Sequence, residues 1–336
     1  MSLLTGSGTV APKRAADAHQ EVVRALTGTP KRLPTTWLYD DHGSTLFTAV
    51  ARQPEYYLDD AEWEIVARHG PDIAARTRAR TLVDLGAGSG RKTRLLLDAL
   101  RTEGSLERYV PVDVSDVGPR RAARALRADH PGLDVRPRVA DFTEPLGLAP
   151  GGAPVLLTLF GATYGNFRPF GAGRLLDVLR SQLGPGDGLL LGIDLVKDEK
   201  TLRAAYDDRA GATAAFVKNG LTVLNRRLGA DFDHDDFDHD VVWNPRQERI
   251  ENALLARRSH TVRLAVPDRT VSFAAGERLL VGVSTKFSRE RIRAELTAAG
   301  MGLSGWWTDE AHRYAVALAS PAEGLRALLP QPWATP

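Results

Sequence analysis

The glycine-rich stretch TLVDLGAGSG, residues 81–90, contains the first residues whose types and spacing indicate chemistry. A short apolar run leads to Asp84 and then to Gly86, Gly88 and Gly90. A glycine turn between a strand and a helix exposes backbone N–H groups to a bound nucleotide or phosphate. The spacing lacks the last glycine of the dinucleotide motif G-x-G-x-x-G, and no G-K-[ST] closes the turn. The pattern D-x-G-x-G-x-G instead indicates S-adenosylmethionine (SAM), although glycine turns also occur without a ligand.

Polar residues at the ends of the following strands strengthen the SAM prediction. Asp113 ends YVPVDV, where a carboxylate can accept hydrogen bonds from both ribose hydroxyls. Asp141 and Phe142 end VADF and are predicted to bind the adenine amino group and to pack near the base. Lys92, in the first turn of the next helix, is predicted to pair with the methionine carboxylate of SAM. Strand ends are often polar in any protein, so the prediction depends on the set as a whole.

The loop LFGATYGNF carries a second group of candidate binding residues. Gly161, Thr163 and Asn166 offer a carbonyl, a hydroxyl and an amide at the carboxyl end of a predicted strand. Ligands of open α/β sheets bind at that end, and these groups suit a small polar substrate. The same residues also suit an ordinary turn with asparagine in a left-handed conformation, so both interpretations stay open.

The elements that must position these residues alternate between strands and helices from Thr81 onward. Continuous apolar strands such as DGLLLGIDLV predict an α/β fold with a doubly wound parallel sheet. This pattern stops near Lys197 and resumes with the helix SRERIRAELTAAGM and a terminal hairpin. We therefore expect a disordered tail at 1–14, a substrate-binding or lid domain at 15–60 plus 197–285, and a SAM-binding domain at 61–196 plus 286–320.

Composition excludes several classes of function. The 336 residues include 44 basic and 42 acidic side chains, so the net charge of +2 gives no strong field for nucleic acid. The chain has no cysteine, which excludes disulfides, thiolate metal sites and a cysteine nucleophile. His234 and His239 are five residues apart and would not share a helical face, so no metal site is predicted. The sequence shows neither a long apolar run nor a signal peptide, which predicts a cytoplasmic protein with no membrane partner. A monomer is expected, although the sequence does not determine the oligomeric state.

Six separated segments resemble one family, the histidine Nα-methyltransferases of ergothioneine biosynthesis. They are WLYDDHGSTLF, QPEYYLDDAE, VDLGAGSGRKTRLLLDAL, FGATYGNF, LGIDLVKDEKTLRAAYDD and VSTKF, in the same order along the chain. The resemblance runs from about Pro30 to Ala319. It implies a Rossmann-like class I SAM-dependent methyltransferase domain with an additional α+β substrate-binding domain, acting on a free amino acid.

The resemblance also implies roles for individual residues. Tyr56 matches a contact of the substrate side chain, and Asn166 with Tyr206 matches the pair that holds the substrate carboxylate. Tyr39 and Ser284 fall at pocket positions, and Tyr39 could orient the amine or relay its proton, a step that water could also perform. The positions matched to the amino group are Gly161 and Thr163, and those matched to SAM are Gly86, Lys92, Asp113, Asp141 and Phe142.

Two departures from the family pattern affect the predicted substrate. Gly282 stands where the histidine enzymes have a glutamate that pairs with the imidazole, and Asn252 stands where they have methionine. The pocket is therefore predicted to be larger and less acidic, and the buried amide of Asn252 could bind a polar group of the substrate. We expect an aromatic amino acid such as tryptophan or tyrosine. The alternatives are histidine itself and a catalytically silent module that binds SAM or a metabolite.

Overall fold

The structure, a computed structural model, describes residues 12–87, 90–114, 120, 123–124, 126–127, 129–130, 132–147, 154–167 and 169–322. The chain forms two compact units. We call residues 58–196 with 285–336 the large-sheet unit, and residues 1–57 with 197–284 the small-sheet unit. Among the described residues, no helix is both long enough and apolar enough to span a membrane.

The helices and strands follow one another in a mixed order. The α-helices are α1 (Pro12–Thr27), α2 (Asp41–Val50), α3 (Leu58–Thr77), α4 (Arg91–Thr102), α5 (Pro169–Arg180), α6 (Glu199–Ala204), α7 (Ala212–Leu228) and α8 (Arg289–Ala298). The strands are β1 (Thr81–Leu85), β2 (Arg108–Asp113), β3 (Asp134–Val135), β4 (Arg138–Val139), β5 (Val155–Leu159), β6 (Gly188–Asp194), β7 (Phe237–Asn244), β8 (Arg249–Ala256), β9 (His260–Leu264), β10 (Arg269–Phe273), β11 (Arg278–Thr285), β12 (Met301–Thr308) and β13 (Tyr314–Pro321). Short 3-10 helices cover Thr35–Leu38, Thr163–Asn166 and His234–Asp236.

The large-sheet unit is built around one eight-stranded sheet within the described part of the chain. Its strand order is β12-β13-β6-β5-β1-β2-β3, and β4 also pairs with β2. Strands β1 to β6 are parallel where they pair, whereas β13 is antiparallel to β6 and to β12. The predicted doubly wound sheet and terminal hairpin are confirmed. Because β1 lies between β2 and β5, the strand order reverses at β1, and in open α/β sheets ligands bind at the carboxyl ends of the strands at such a point.

Burial explains the apolar strands of this sheet. Every residue of β1 and β6 is buried, as expected for central strands that are covered on both faces. The single strand predicted for LDVRPRVADF is wrong. Two strands of two residues each, β3 and β4, replace it, separated by Arg136 and Pro137. Proline has no N–H to donate to the β-ladder, so a continuous strand is not formed there.

The small-sheet unit contains a three-stranded sheet, β11-β8-β7, and the hairpin β9-β10 among its described residues. The helix predicted over residues 199–227 is divided into α6 and α7. The carboxylate of Asp208 accepts hydrogen bonds from the N–H groups of Ala212 (2.8 Å) and Thr213 (2.7 Å) and so starts α7 anew. Helix α1 already begins at Pro12, so residues 12–14 of the expected disordered tail are helical. The rest of that tail lies outside the described residues.

Candidate active site

The glycine turn after β1 has the backbone conformation that its sequence predicts. Gly86 (φ +73°) and Gly90 (φ +68°) are left-handed, a conformation that a side chain would strain. The Gly86 N–H donates to the Val112 carbonyl at 2.8 Å, which folds the turn over the end of β2. A Cβ on Gly86 would lie 3.9 Å from Cε1 of Phe142, so these two predicted cofactor residues are neighbours. Gly88 lies outside the described residues.

Asp84, the acid of the glycine motif, faces the protein interior. It is 2% exposed, and its carboxylate accepts hydrogen bonds from the hydroxyls of Thr93 (2.7 Å), Thr158 (2.9 Å) and Tyr109 (3.1 Å). Burial raises the pKa of Asp84, although the three hydroxyl donors oppose that shift. Asp84 therefore ties β1 to β2, β5 and α4. Its carboxylate supports the glycine turn from the protein interior and is not exposed to a ligand.

Asp113 ends β2, and Asp141 follows the end of the paired strand β4 by two residues. Asp113 is the last residue of β2 and is half-buried, and its carbonyl accepts from the Ala140 N–H at 2.9 Å. Oδ1 of Asp141 accepts from the Thr143 N–H (2.9 Å) and from the Thr143 hydroxyl (2.7 Å). Asp141 thus caps its own turn, a structural role that the sequence did not reveal. Its contact with adenine stays a prediction.

Lys92 is already paired with two acids of α3. Its ammonium lies 2.9 Å from Oδ1 of Asp59 and also forms an ion pair with Glu62, and its side chain is 15% exposed. Burial lowers the pKa of Lys92, but the two carboxylates outweigh burial, so the net direction is upward. Lys92 stays protonated and held at the first turn of α4. Neither acid was assigned a role from the sequence, because the segment LDDAE carries only the signal of a helix start.

The loop after β5 places its three predicted residues in one short turn. Gly161 has φ +79° and Thr163 begins the 3-10 helix Thr163–Asn166. The Thr163 hydroxyl donates to the Phe160 carbonyl at 2.8 Å, whereas the Asn166 side chain is exposed. The loop thus lies at the carboxyl edge of the sheet, as do the turns that carry Gly86 and Asp113.

Within the small-sheet unit, an aromatic cluster connects four predicted residues. Ring centroids of Tyr39 lie 5.6 Å from Phe47 and 5.1 Å from Phe216, and Phe47 lies 6.1 Å from Tyr56. Tyr56 lies 6.3 Å from Tyr206, whose hydroxyl donates to the Ser284 hydroxyl at 2.8 Å. The fold therefore brings Tyr39, Tyr56, Tyr206 and Ser284 into one connected group. Sequence reasoning missed Phe47 and Phe216, although the first lies in a conspicuously aromatic segment.

Tyr39 follows the 3-10 helix Thr35–Leu38 at a fixed corner of the chain. Nδ2 of Asn219 donates to the Leu38 carbonyl (3.1 Å) and to Oδ1 of Asp40 (2.9 Å), which holds the residues on both sides of Tyr39. Desolvation, and secondly the nearby Tyr206, raise the pKa of Tyr39, yet 46% of the residue is exposed. Contact with solvent makes the rise in the pKa of Tyr39 smaller, but the phenol still stays protonated at neutral pH. A phenol with a pKa of about 10 or above is protonated at neutral pH, so Tyr39 is no phenolate base.

Gly282 and Asn252 lie in the neighbouring strands β11 and β8. A Cβ on Gly282 would lie 3.3 Å from Cγ2 of Thr35, so the position borders the helix that precedes Tyr39. Oδ1 of Asn252 lies 3.2 Å from Nε2 of His239, on β7. The oxygen of Asn252 thus has a protein partner, because the β7–β8 pairing brings the two side chains onto one face. Contact between the Asn252 amide and the substrate stays a prediction.

His239 and His234 have partners other than a metal. The buried ring of His239 also lies 3.9 Å from Asp207 through Nδ1, and burial lowers its pKa more than nearby acids and Asn252 raise it. Nε2 of His234 lies 3.0 Å from the Thr222 hydroxyl. Over the ranges that the structure describes, no group of three or more His, Cys, Asp or Glu side chains is placed to hold a metal ion.

Comparison with known proteins finds relatives over most of the chain. Residues 18–321 match the model of a family described as histidine-specific, SAM-dependent methyltransferases. The histidine Nα-methyltransferase of Mycolicibacterium smegmatis is 46% identical over 311 residues, which cover 92% of this chain and 97% of that protein. The corresponding protein of Mycobacterium tuberculosis is 45% identical, with 90% and 94% covered. An N-methyltransferase of Aspergillus fumigatus is 30% identical, with 87% and 81% covered.

Proposed function

Because the chain belongs to the family of histidine-specific, SAM-dependent methyltransferases, we propose that it methylates the α-amino nitrogen of a free amino acid and prefers an aromatic one to histidine. The protein is a SAM-dependent methyltransferase with the class I fold. The preference for an aromatic amino acid is the finer part of the proposal, and Gly282 is the observation that carries it.

The residues of the large-sheet unit fit SAM as a cofactor. The left-handed Gly86 leaves open the side of the turn that faces Phe142, and a half-buried carboxylate, Asp113, ends the next strand. Bound SAM supplies a methyl group that is activated by a sulfonium. In our proposal Asp113 accepts hydrogen bonds from the ribose, Asp141 and Phe142 bind the adenine, and the protonated Lys92 pairs with the methionine carboxylate.

Following the family resemblance, we assign the substrate carboxylate to Asn166 and Tyr206. The Asn166 amide is exposed and can donate. The Tyr206 hydroxyl contacts Ser284, and hydroxyl hydrogens rotate. Ser284 can therefore donate to Tyr206 and release the Tyr206 proton for the carboxylate. This arrangement explains why the free acid, rather than an amide or ester, is the expected substrate.

Orientation is the main contribution that we assign to the protein in the transfer step. Fixing the amine in line with the methyl group can lower the barrier by about 7–11 kcal/mol. The amine must lose a proton before it attacks. Since Tyr39 is protonated at neutral pH, its oxygen can accept a hydrogen bond from the amine and direct the nitrogen lone pair, while water takes the proton.

The side-chain pocket supports an aromatic substrate. A site without a carboxylate at position 282 offers an imidazole no charged partner there. Oδ1 of Asn252 is engaged by His239, so this amide oxygen does not replace the missing carboxylate. Histidine is the second candidate, and the identity of 45–46% to two histidine enzymes over nine-tenths of the chain favours it.

A competition assay tests the proposal. Purified protein is incubated with SAM and an equimolar mixture of the twenty amino acids, and methylated products are identified by mass spectrometry. We expect α-N-methylated tryptophan or tyrosine to exceed methylated histidine, and tryptophan amide to react more slowly than tryptophan. Dominant methylation of histidine would establish the second candidate. Absence of any methylated product, with SAM still bound, would indicate a silent binding module.

A further inference from the structure

Glu62 of α3 is a fully buried carboxylate for which the sequence gave no role. Its exposed fraction is 0%. Its two oxygens accept from the Gly161 N–H at 3.0 and 2.9 Å, Oε1 also accepts from the Tyr314 hydroxyl at 2.9 Å, and Lys92 pairs with the same group. A buried carboxylate is costly to desolvate, so this many donors are needed to keep it there. One carboxylate thus joins α3, the loop after β5, β13 and the first turn of α4.

The loop that Glu62 holds has an unfavourable backbone. Gly161 and Ala162 both have positive φ, +79° and +57°, and the left-handed conformation is unfavourable for alanine because its Cβ crowds the following carbonyl. The N–H of Gly161 donates to Glu62, and the N–H of Ala162 donates to the Tyr314 hydroxyl at 2.8 Å. Local preference would not maintain this turn. The two buried side chains determine it, and it leads directly into Thr163–Asn166.

Glycine at position 192 of β6 provides the space for these groups. A Cβ there would lie 2.0 Å from Oε1 of Glu62 and 2.4 Å from the Tyr314 hydroxyl, closer than real Cβ atoms approach. The packing of β6, α3 and the loop after β5 therefore leaves room for the Glu62 carboxylate in one position.

We propose that Glu62 is a positioning residue for the methyl transfer, which holds the Gly161–Asn166 turn and the Lys92 ammonium in one buried network. The inference depends on the proposed function, because that function assigns the substrate carboxylate to Asn166 and the SAM carboxylate to Lys92. Because Glu62 is fully buried, we assign it no direct contact with either ligand. It acts by fixing the residue that binds each one, so that both contacts keep their positions relative to the sheet.

The isosteric variant Glu62→Gln tests this role. It removes the charge beside Lys92 and turns one acceptor of the network into a donor. We expect the KM for L-tryptophan, or for L-histidine if that reacts faster, to rise about tenfold or more, because small misplacements near a reacting centre are costly. At saturating SAM, where the Lys92 contact does not limit the reaction, the KM of the double variant Glu62→Gln with Asn166→Ala should stay within about twofold of that of Asn166→Ala, because Glu62 acts on the substrate through that turn.

Asp187→Asn provides the matched control. Asp187 is also buried, and it accepts from the backbone N–H groups of Val155 (2.7 Å) and Gly184 (2.8 Å) at the amino ends of β5 and β6. This variant should lower the thermal midpoint without raising the KM. If Glu62→Gln fails to fold, Tyr314→Phe removes only the hydroxyl and should raise the KM in the same direction, by about threefold or more.

The outcomes separate the inference from the proposed function. An unchanged KM in Asn166→Ala would refute the assignment of the substrate carboxylate, whatever Glu62→Gln does. If Glu62→Gln or Tyr314→Phe folds and keeps the same KM as the control Asp187→Asn, the positioning role is overturned. Effects of Glu62→Gln and Asn166→Ala that multiply in full would also overturn it, because they would show that Glu62 does not act through the turn.

Discussion

Restoring a carboxylate at position 282 should shift the substrate preference towards histidine. The variant Gly282→Glu places its Cβ 3.3 Å from Cγ2 of Thr35, so this methyl must move by a few tenths of an ångström. Thr35 is half-buried and can rotate, and we expect a stability cost of about 1 kcal/mol, at the low end for overpacking. The variant should therefore fold, which allows its kinetics to be compared with those of the native enzyme.

The size of the shift follows from the hydrogen bond that is gained. A bond from an imidazole N–H to a carboxylate contributes about 1.5–3 kcal/mol, which corresponds to a factor of roughly 10 to 150. The added side chain also fills space that an indole would use. We therefore expect the ratio of kcat/KM for histidine to that for tryptophan to rise at least tenfold.

The matched variant Gly282→Gln separates charge from volume. Its side chain has nearly the same size, but a bond to a neutral group contributes only about 0.5–1.5 kcal/mol. Each variant is incubated with L-histidine and L-tryptophan at equal concentration. The ratio of the two methylated products then gives the ratio of kcat/KM for histidine to kcat/KM for tryptophan. This ratio should be about tenfold higher for Gly282→Glu than for Gly282→Gln. The same shift in both variants, or a native enzyme that already prefers histidine strongly, would refute the reasoning about this pocket.

Two further predictions concern the cofactor and the buried histidine. Asp113→Ala should weaken binding of S-adenosylhomocysteine roughly 10- to 150-fold in calorimetry, because the ribose loses a charged acceptor, whereas Asp134→Ala at the amino end of β3 should not. Equal affinity in both variants would contradict the assignment. The pKa of His239 is lowered by burial, so its neutral form stabilises the fold above about pH 6.5 and that contribution is lost as the pH falls. The difference in thermal midpoint between native protein and His239→Gln should therefore shrink from pH 7.5 to 5.5; a constant difference would count against it.

The sequence determined the elements whose signals are local. Apolar runs, a glycine turn and a helix start specify β1, its turn and α4, because strand and helix preferences act over a few residues. The order of these elements then predicted the parallel sheet. The family resemblance identified candidate residues, and the fold places Gly86 beside Phe142 and joins Tyr39, Tyr56, Tyr206 and Ser284 through an aromatic cluster. Their contacts with ligands stay predictions.

Tertiary structure alone decided which polar groups are already engaged. Asp84 is the last residue but one of β1 and Asp113 is the last residue of β2. Asp84 is buried and accepts from three hydroxyls, whereas Asp113 is half-buried at the edge of the sheet. Glu62 meets partners 99 and 252 residues away, and Asn252 meets His239 through strand register. Such pairings depend on how helices and strands pack, since a buried polar group must find a partner wherever the fold supplies one. The spacing of residues along the chain does not indicate which distant residues meet in the fold. The role of Glu62 could therefore not be predicted from the sequence.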